Sequence, residues 1–179
     1  SIENSAFYCS SLTSITIPEG VTEIGNAAFK GCGSLTSIDV ALNNENYASI
    51  DGVLFSKDKT ILIKYPEGKD ATSYMIPEGV TEIEYNAFDD CASLTSITIP
   101  EGVTWIGDGA FSGCSSLTSI TCKNTTPPIL IDFEYEGENF TFEYVDKSIP
   151  LYVPAESVEV YKNTKYWKEF TNIQAIPSS

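Results

Sequence analysis

The chain has 179 residues, 42% of them hydrophobic, which is enough for one domain with a sizeable core. Its formal net charge is -15, from 25 acidic and 10 basic residues, and every basic residue is Lys because the sequence contains no Arg and no His. A surface this acidic repels phosphate groups, which argues against nucleic acid and anionic membranes as partners. No apolar run reaches the roughly 18 residues of a bilayer span, so no direct membrane insertion is expected.

Most of the sequence consists of copies of one unit. The founding copy runs over residues 94–116, and Leu117 begins the same phrase again. Equivalent residues recur at an interval of 23: Leu12 and Leu35, Leu94 and Leu117, Phe88 and Phe111, Cys9 and Cys32, Cys91 and Cys114. A fixed period in the twenties is typical of a solenoid.

Each unit predicts one short strand followed by a compact turn. Leu94, Ile97 and Ile99 alternate with polar residues at strand period, and Pro100 cannot donate a ladder hydrogen bond, so the strand ends there. The apolar residues of the second half are spaced for one side of a single helical or 3₁₀ turn: Ala110, Phe111 and Cys114. A lone unit cannot bury all these side chains, so we expect neighbouring units to stack as parallel rungs around one continuous interior.

The chain begins in the middle of a unit, since residues 2–7 match residues 24–29. We therefore expect a piece of a longer chain, with a targeting segment upstream. Residues 43–77 are irregular. Asp51-Gly52 predicts a hairpin between 47–50 and 53–55, and the closeness of Pro66 and Pro77 predicts that strands 60–66 and 73–77 stack almost directly.

The last third of the chain departs from the pattern. Aromatic and acidic residues alternate around Gly137, which predicts an inserted hairpin over 129–147. Residues 149–154 and 173–176 are predicted strands, and 155–170 a single helix that covers the final rung. We assign 1–123 to the repeat solenoid, with irregular repeats at 43–77, and 124–179 to the insert, final strand and cap of the same domain.

These patterns predict a β-rich α/β solenoid of six or seven rungs, with short 3₁₀ turns and a C-terminal capping helix. The unit L-x-x-I-x-I-P-x-x-V-x-x-I-x-x-x-A-F-x-x-C resembles the BspA-like, or Treponema pallidum-type, leucine-rich repeat of bacterial surface proteins, over nearly the whole chain. The resemblance implies that the solenoid is a right-handed leucine-rich-repeat superhelix. It also implies an exported, extracellular or cell-surface protein that binds host matrix proteins or other cells.

The outward strand positions are the first candidate binding surface. In such a solenoid they form two files along the stack, and repeat proteins often meet partners on such a sheet. The predicted partner-binding residues are Ser14, Thr16, Ser37, Asp39, Lys64, Met75, Ser96, Thr98, Ser119 and Thr121. The favoured function is adhesive recognition of a protein partner; a structural spacer in a larger surface protein is a weaker alternative.

The insert supplies a second alternative, a carbohydrate-binding arm. Its rings either stack on a sugar or pack against the solenoid, and packing is slightly favoured. The residues are Phe133, Tyr135, Phe140, Phe142 and Tyr144.

The cysteines and acidic residues have simpler explanations. All five cysteines, Cys122 included, occupy inward positions and are expected as buried thiols, although adjacent rungs bring Cys9 and Cys32 near bridging distance. The acidic residues are expected to form a solvated edge that resists aggregation, with stacked carboxylates for calcium as the alternative. They are Glu19, Glu67, Glu78, Glu101, Glu23, Glu82, Glu84, Asp89, Asp90 and Asp108.

Little in the sequence suggests catalysis. Without His, a Ser or Cys nucleophile lacks its usual base. The sequence has no Gly-rich phosphate loop and no G-x-S-x-G, and no feature singles out a pair of carboxylates for hydrolysis. The absence of His and of C-x-x-C argues against zinc. We therefore expect no enzyme activity, no cofactor and no metal.

Overall fold

The computed structural model describes residues 1–8, 11–132 and 137–178. Within these residues the chain forms thirteen short strands and one helix, flanked by two short 3₁₀ helices. In chain order they are β1 (Ser14–Ile17), β2 (Ser37–Val40), β3 (Tyr47–Ile50), β4 (Val53–Ser56), β5 (Ile61–Lys64), β6 (Ser73–Met75), β7 (Glu82–Ile83), β8 (Ser96–Ile99), β9 (Trp105–Gly107), β10 (Ser119–Cys122), β11 (Ile129–Ile131), β12 (Leu151–Val153), a 3₁₀ helix (Ala155–Ser157), α1 (Val158–Lys162), a second 3₁₀ helix (Trp167–Glu169) and β13 (Ile173–Ala175).

The strands form a β-solenoid of about seven turns, which confirms the predicted fold class. The first half of each unit contributes to a parallel sheet that lies in two pieces, the pair β1–β2 and a five-stranded sheet in the order β6-β8-β10-β12-β13. We call the five-stranded piece the Ser/Thr sheet. The second halves form a six-stranded second sheet in the order β3-β4-β5-β7-β9-β11.

The sequence period becomes the register of the sheet. Equivalent residues of consecutive units pair directly, so that Ser96 lies opposite Ser119 and Ile97 opposite Ile120. A threonine in each unit adds a second bond: the Thr118 hydroxyl donates to the Thr95 carbonyl at 3.1 Å, and the Thr95 hydroxyl to that of Thr72 at 3.0 Å. The hydroxyl ladder reinforces the backbone ladder at the same 23-residue step.

A column of aromatic rings lies inside the turns. Phe88 stacks on Phe111 with ring centroids 5.0 Å apart, and Phe111 on Phe142 at 5.4 Å. At the N-terminal end Phe7 stacks on Phe29 at 5.4 Å, which confirms that residues 2–7 are the second half of a unit. The turns themselves are built from hydrogen bonds between residues three apart, as predicted, such as Cys114 N to Phe111 O at 3.2 Å.

The hairpin predicted at Asp51-Gly52 is present, because β3 and β4 pair antiparallel and both turn residues have positive φ, 50° and 77°. Its tip lies against β2, where the Gly52 carbonyl accepts a hydrogen bond from Ile38 N at 2.8 Å. A Cβ on Gly52 would lie 2.6 Å from the Ser37 hydroxyl oxygen and 3.1 Å from the Ser37 Cα, so this contact, together with the positive φ, favours glycine. The hairpin thus covers β2 and ends the first piece of the sheet.

The prediction that strands 60–66 and 73–77 stack directly is wrong. β5 lies in the second sheet and pairs with β7, whereas β6 lies in the Ser/Thr sheet. The reason is that residues 60–66 form the second half of a unit: Tyr65 occupies the aromatic column, 5.2 Å from Phe88, and its amide bonds to the Ala87 carbonyl. Pro66 therefore does not mark the end of a first-half strand.

The expected single interior is also wrong, because the core is divided into two clusters. Leu35 belongs to the N-terminal cluster, with Leu12 packed on its edge, whereas Leu94 and Leu117 belong to the large C-terminal cluster. The hairpin explains the division. β4 is buried on both sides, and Leu54 faces one cluster while Val53 and Phe55 face the other.

The described part of the predicted insert is another unit of the repeat. β11 pairs parallel with β9, and residues 137–146 form turns and coil with no strand, so no hairpin is found in this described stretch. Phe142 occupies the aromatic column, and Phe111 N donates to the Thr141 carbonyl as Phe88 N does to that of Ala110. Residues 133–136 lie outside the described residues.

The C-terminal cap covers the last rung as predicted, but not as one helix. α1 spans only five residues, and Tyr166 has φ 70°, a left-handed conformation that interrupts the helical path before the second 3₁₀ helix. The break lets both Tyr161 and Trp167 be fully buried. The Trp167 indole nitrogen donates to the Pro128 carbonyl at 2.8 Å, and its ring lies 5.4 Å from that of Phe142.

Truncation of one inward leucine tests the stacked core. Leu94 is 1% exposed, so Leu94→Ala should lower the free energy of unfolding by about 2 to 5 kcal/mol through lost burial and a residual cavity. Leu42 is 94% exposed, and Leu42→Ala should change it by no more than about 0.5 kcal/mol. Urea unfolding monitored by circular dichroism measures both variants. Equal effects would contradict the assignment of Leu94 to the core.

Candidate functional site

The outward side chains of the Ser/Thr sheet form the two predicted files. Ser73, Ser96 and Ser119 lie opposite one another in register, as do Met75, Thr98 and Thr121. The inward neighbours Ile97 and Ile120 are buried, which fixes the opposite residues on the outer face. Met75 is 68% exposed and is the large apolar side chain of this surface.

The second file continues beyond the predicted residues. Thr121 pairs with Tyr152, and Tyr152 pairs with Gln174, so both belong to the same outward row. The sequence carried the signal for Tyr152, because counting back from Pro154 by the rule used for the other units places it outward.

The remaining predicted residues do not join this surface. Ser14, Thr16, Ser37 and Asp39 lie on β1 and β2, the separate two-stranded piece. Lys64 is misplaced in the prediction: it is 6% exposed, in β5 of the second sheet, and its ammonium lies 3.4 Å from the Glu67 carboxylate. Lys64 is equivalent to Ala87 of the next unit, and this position faces inward. The prediction counted back from Pro66 as if it ended a first-half strand, whereas β5 belongs to the second half of its unit.

The acidic residues are not all a solvated edge. Glu67, Asp89 and Asp108 are buried, with 8%, 4% and 9% of their surfaces exposed. Glu67 links residues on the two sides of the β3–β4 hairpin. Its Oε1 accepts a hydrogen bond from Gly31 N at 2.9 Å and forms an ion pair with Lys64. Burial raises the pKa of the Asp89 carboxyl, partly offset by the nearby Lys30.

The described cysteines lie in the core, as expected. Cys91, Cys114 and Cys122 are free, buried thiols, and Cys32 is also buried. Burial raises the pKa of Cys114 to about 12 and that of Cys122 to about 11. Cys9 lies outside the described residues, so its relation to Cys32 stays a prediction. In the part of the chain that the structure describes, no group of three acidic or Cys side chains is arranged to hold a metal ion.

The aromatic residues of 129–147 divide between packing and exposure. Phe142 is 5% exposed within the core, whereas Phe140 is 41% and Tyr144 74% exposed. Tyr144 also has φ 64°, a conformation that side-chain-bearing residues seldom adopt. Phe133 and Tyr135 lie outside the described residues.

A family model for the BspA-type leucine-rich-repeat region matches residues 1–73 and 64–133, with six copies. The chain belongs to this family. A search of the curated proteins found no match.

Among solved structures, the BspA-type chain is similar to a leucine-rich cell surface protein from Faecalibacterium prausnitzii A2-165, with 30% identity and a TM-score of 0.63 over 98% of this chain and 51% of that one. It is also similar in fold to the pneumococcal vaccine antigen PcpA (23% identity, TM-score 0.61, covering 98% and 59%). A leucine-rich repeat protein from Eubacterium ventriosum ATCC 27560 is similar in fold as well, with 21% identity and a TM-score of 0.60 over 98% of this chain and 52% of that one. The chain thus spans between half and three-fifths of each of these proteins.

Among the described residues, no helix has the length and apolar character needed to cross a membrane.

Thiol chemistry tests the inward position of the cysteines. Iodoacetamide at about pH 8 should leave Cys114 and Cys122 unmodified in the folded protein and modify both in urea, because only a thiolate reacts. Their folded pKa values exceed the ordinary value of 9.0, so the unfolded state loses these protons first. The free energy of unfolding should therefore fall as pH rises from about 9 towards 11.

Peptide mapping by mass spectrometry reads each cysteine separately. Cys114→Ala and Cys122→Ala variants, compared by urea unfolding, should each lose part of this pH dependence. Rapid labelling of either thiol in the folded protein contradicts its burial.

Proposed function

We propose that the chain is a non-enzymatic, surface-exposed recognition module that binds a protein partner through the Ser/Thr sheet. Family membership and the similarity to the F. prausnitzii cell surface protein support a location outside the cell. The partner class we propose is a host extracellular-matrix or cell-surface protein. Because the chain spans about half of its structural relatives, this proposal concerns the module and not the whole protein.

One observation carries the proposal: the outward side chains of the Ser/Thr sheet are all uncharged. In a chain with 20% charged residues and a net charge of -15, five adjacent strands present only hydroxyl, amide, thioether and phenol groups. The residues are Ser73, Met75, Ser96, Thr98, Ser119, Thr121, Tyr152 and Gln174.

This composition suits a protein interface. The buried centre of such interfaces is depleted of charged residues and enriched in Tyr and Met, whereas Ser is depleted there, so Met75 and Tyr152 are the residues that favour an interface most. Met75 adapts its shape to a partner, and the hydroxyl rows offer hydrogen bonds without the desolvation cost of a charge. The registered strands also hold these groups on rigid elements.

The chemistry of the described residues supports a non-enzymatic role. The sequence has no His to serve as a base. The thiols of Cys91, Cys114 and Cys122 are buried with pKa values raised by burial, the opposite of an activated nucleophile.

A charge placed on the sheet tests this proposal. Thr98→Arg puts a bulky cation on β8, the second of the five strands, and should weaken binding by about tenfold or more, since a charge buried without a partner is costly. Thr126→Arg makes the same change on an exposed loop away from the sheet and should leave binding unchanged. Binding is measured by surface plasmon resonance against a panel of purified extracellular-matrix proteins that the unchanged chain binds.

Both variants should melt within a few degrees of the unchanged protein, because surface substitutions alter stability by only about 0.5 kcal/mol. Asp39→Lys on β2 shows whether the separate N-terminal pair takes part. Equal binding by all variants removes the strand surface as the contact region.

A carbohydrate-binding role is a second candidate, favoured by the exposure of Phe140 and Tyr144. Exposed rings stack on sugar faces. Tyr144→Asn removes one ring while keeping a residue that tolerates positive φ, so the backbone is spared. Glycan-array binding should be lost in Tyr144→Asn and retained in Thr98→Arg; absence of glycan binding by the unchanged chain eliminates this candidate.

A further inference from the structure

The residues that follow the column phenylalanines form a file of their own on the flank of the solenoid. Lys30, Asp89, Ser112 and Glu143 come directly after Phe29, Phe88, Phe111 and Phe142. Contacts within the file show that the side chains meet: the Lys30 ammonium lies 3.6 Å from Asp89 Oδ2, and the Ser112 hydroxyl donates to Glu143 Oε2 at 3.4 Å. A single repeat position thus lines one stretch of surface.

This file borders a cavity of about 350 Å³. Four carboxylates line it, those of Asp89, Asp108, Glu138 and Glu143, against one ammonium, that of Lys30. The rings of Tyr85 and Phe140 complete the wall. No strand residue of the Ser/Thr sheet lines the cavity, so it is separate from the surface proposed above.

Two of the carboxylates already have hydrogen-bond donors. Asp108 Oδ1 accepts a hydrogen bond from Phe140 N at 2.6 Å, which holds the backbone of Phe140 beside the cavity, and Glu143 accepts one from Ser112. Asp89 differs, because its side chain is 6% exposed and its Oδ2 has no hydrogen-bond donor among the described residues. Lys30 is beyond hydrogen-bond distance, and its side chain is 44% exposed.

A buried carboxylate oxygen without a donor is costly, and a ligand that supplies an N–H group removes that cost. The excess of carboxylates selects a cation over a neutral or anionic ligand. A guanidinium group bonds carboxylates in a planar fork and stacks on aromatic rings, and both partners are present in this wall.

We propose that this cavity binds an arginine or lysine side chain of a protein partner. The preference for a cation rests on the cavity alone; only the identification of the ligand as a protein side chain rests on the proposed function. The two are therefore tested separately, first with a small probe.

The probe is Nα-acetyl-arginine amide, with the citrulline analogue as its uncharged match. Titration into the ¹⁵N-labelled chain should give saturable shifts of the Asn86, Gly109 and Ser112 amides with the arginine probe, several-fold larger than with citrulline. The arginine shifts should shrink as NaCl rises from about 50 to 500 mM. Nα-acetyl-lysine amide and methyl glucoside are run in parallel.

Asp89→Asn should weaken arginine binding by about tenfold or more, since charge-assisted hydrogen bonds of this kind are among the strong ones. Asp90→Asn is the matched control: it makes the same charge change on the adjacent, exposed residue and should alter binding less than about twofold. Glu143→Gln removes the charge of another lining carboxylate in the same file and should also weaken arginine binding. Thermal melting shows that each variant folds.

Equal shifts with arginine and citrulline, larger shifts with methyl glucoside, no saturable shift, or equal loss in Asp89→Asn and Asp90→Asn each overturn the cation site. If the probe binds, the same variants are then tested for matrix-protein binding. A loss in Thr98→Arg but not in Asp89→Asn would confine partner recognition to the Ser/Thr sheet. That result overturns the proposal that a partner side chain is the cavity ligand. The reverse result supports the cavity and removes the sheet.

Discussion

No unit of this chain can bury its own apolar residues, and the whole structure depends on how neighbouring units do so for one another. The aromatic column expresses this constraint most directly: Tyr65, Phe88, Phe111 and Phe142 stack in sequence at 5.0 to 5.4 Å. Backbone pairing alone sets the spacing between neighbouring rungs, and the rings stacked at that spacing bury one another's faces. Each rung therefore depends on the next for its stability.

This dependence explains which changes the repeat tolerates. Tyr65 replaces a phenylalanine and Cys122 lies opposite Ile99, and both remain buried. Cys122 is smaller than Ile99, and the Tyr161 hydroxyl lies 3.2 Å from its sulfur. Loop length is much freer, since the interval from Ser112 to Glu143 is 31 residues where the regular period is 23. The spacing of the rings in the aromatic column therefore stays the same while the length of the loops on the flank varies. The acidic cavity lies on that flank.

The sequence predicted the regular units well, because their period translates directly into register. The prediction failed where the same local pattern occurs in both halves of the unit. Pro66 has the same local pattern as Pro100, yet it follows a second-half strand, so Lys64 was placed outward when it is buried. The outward residues of the Ser/Thr sheet could be predicted from the alternation of side chains along each strand. The cavity could not be predicted in this way, because Lys30 and Asp89 lie 59 positions apart in the sequence, on either side of the irregular segment 43–77.

The two surfaces place different demands on a partner. The Ser/Thr sheet is uncharged, so its contacts act at short range through shape and hydrogen bonds. Four carboxylates line the flank cavity of a chain of charge -15, so under the proposal it would attract a basic group of the partner from a distance and raise the encounter rate. A partner with one basic side chain near a flat polar surface would satisfy both. Because different repeat positions line the cavity and the outer face of the sheet, substitutions at either set can change one surface while the inward residues of the stack stay the same.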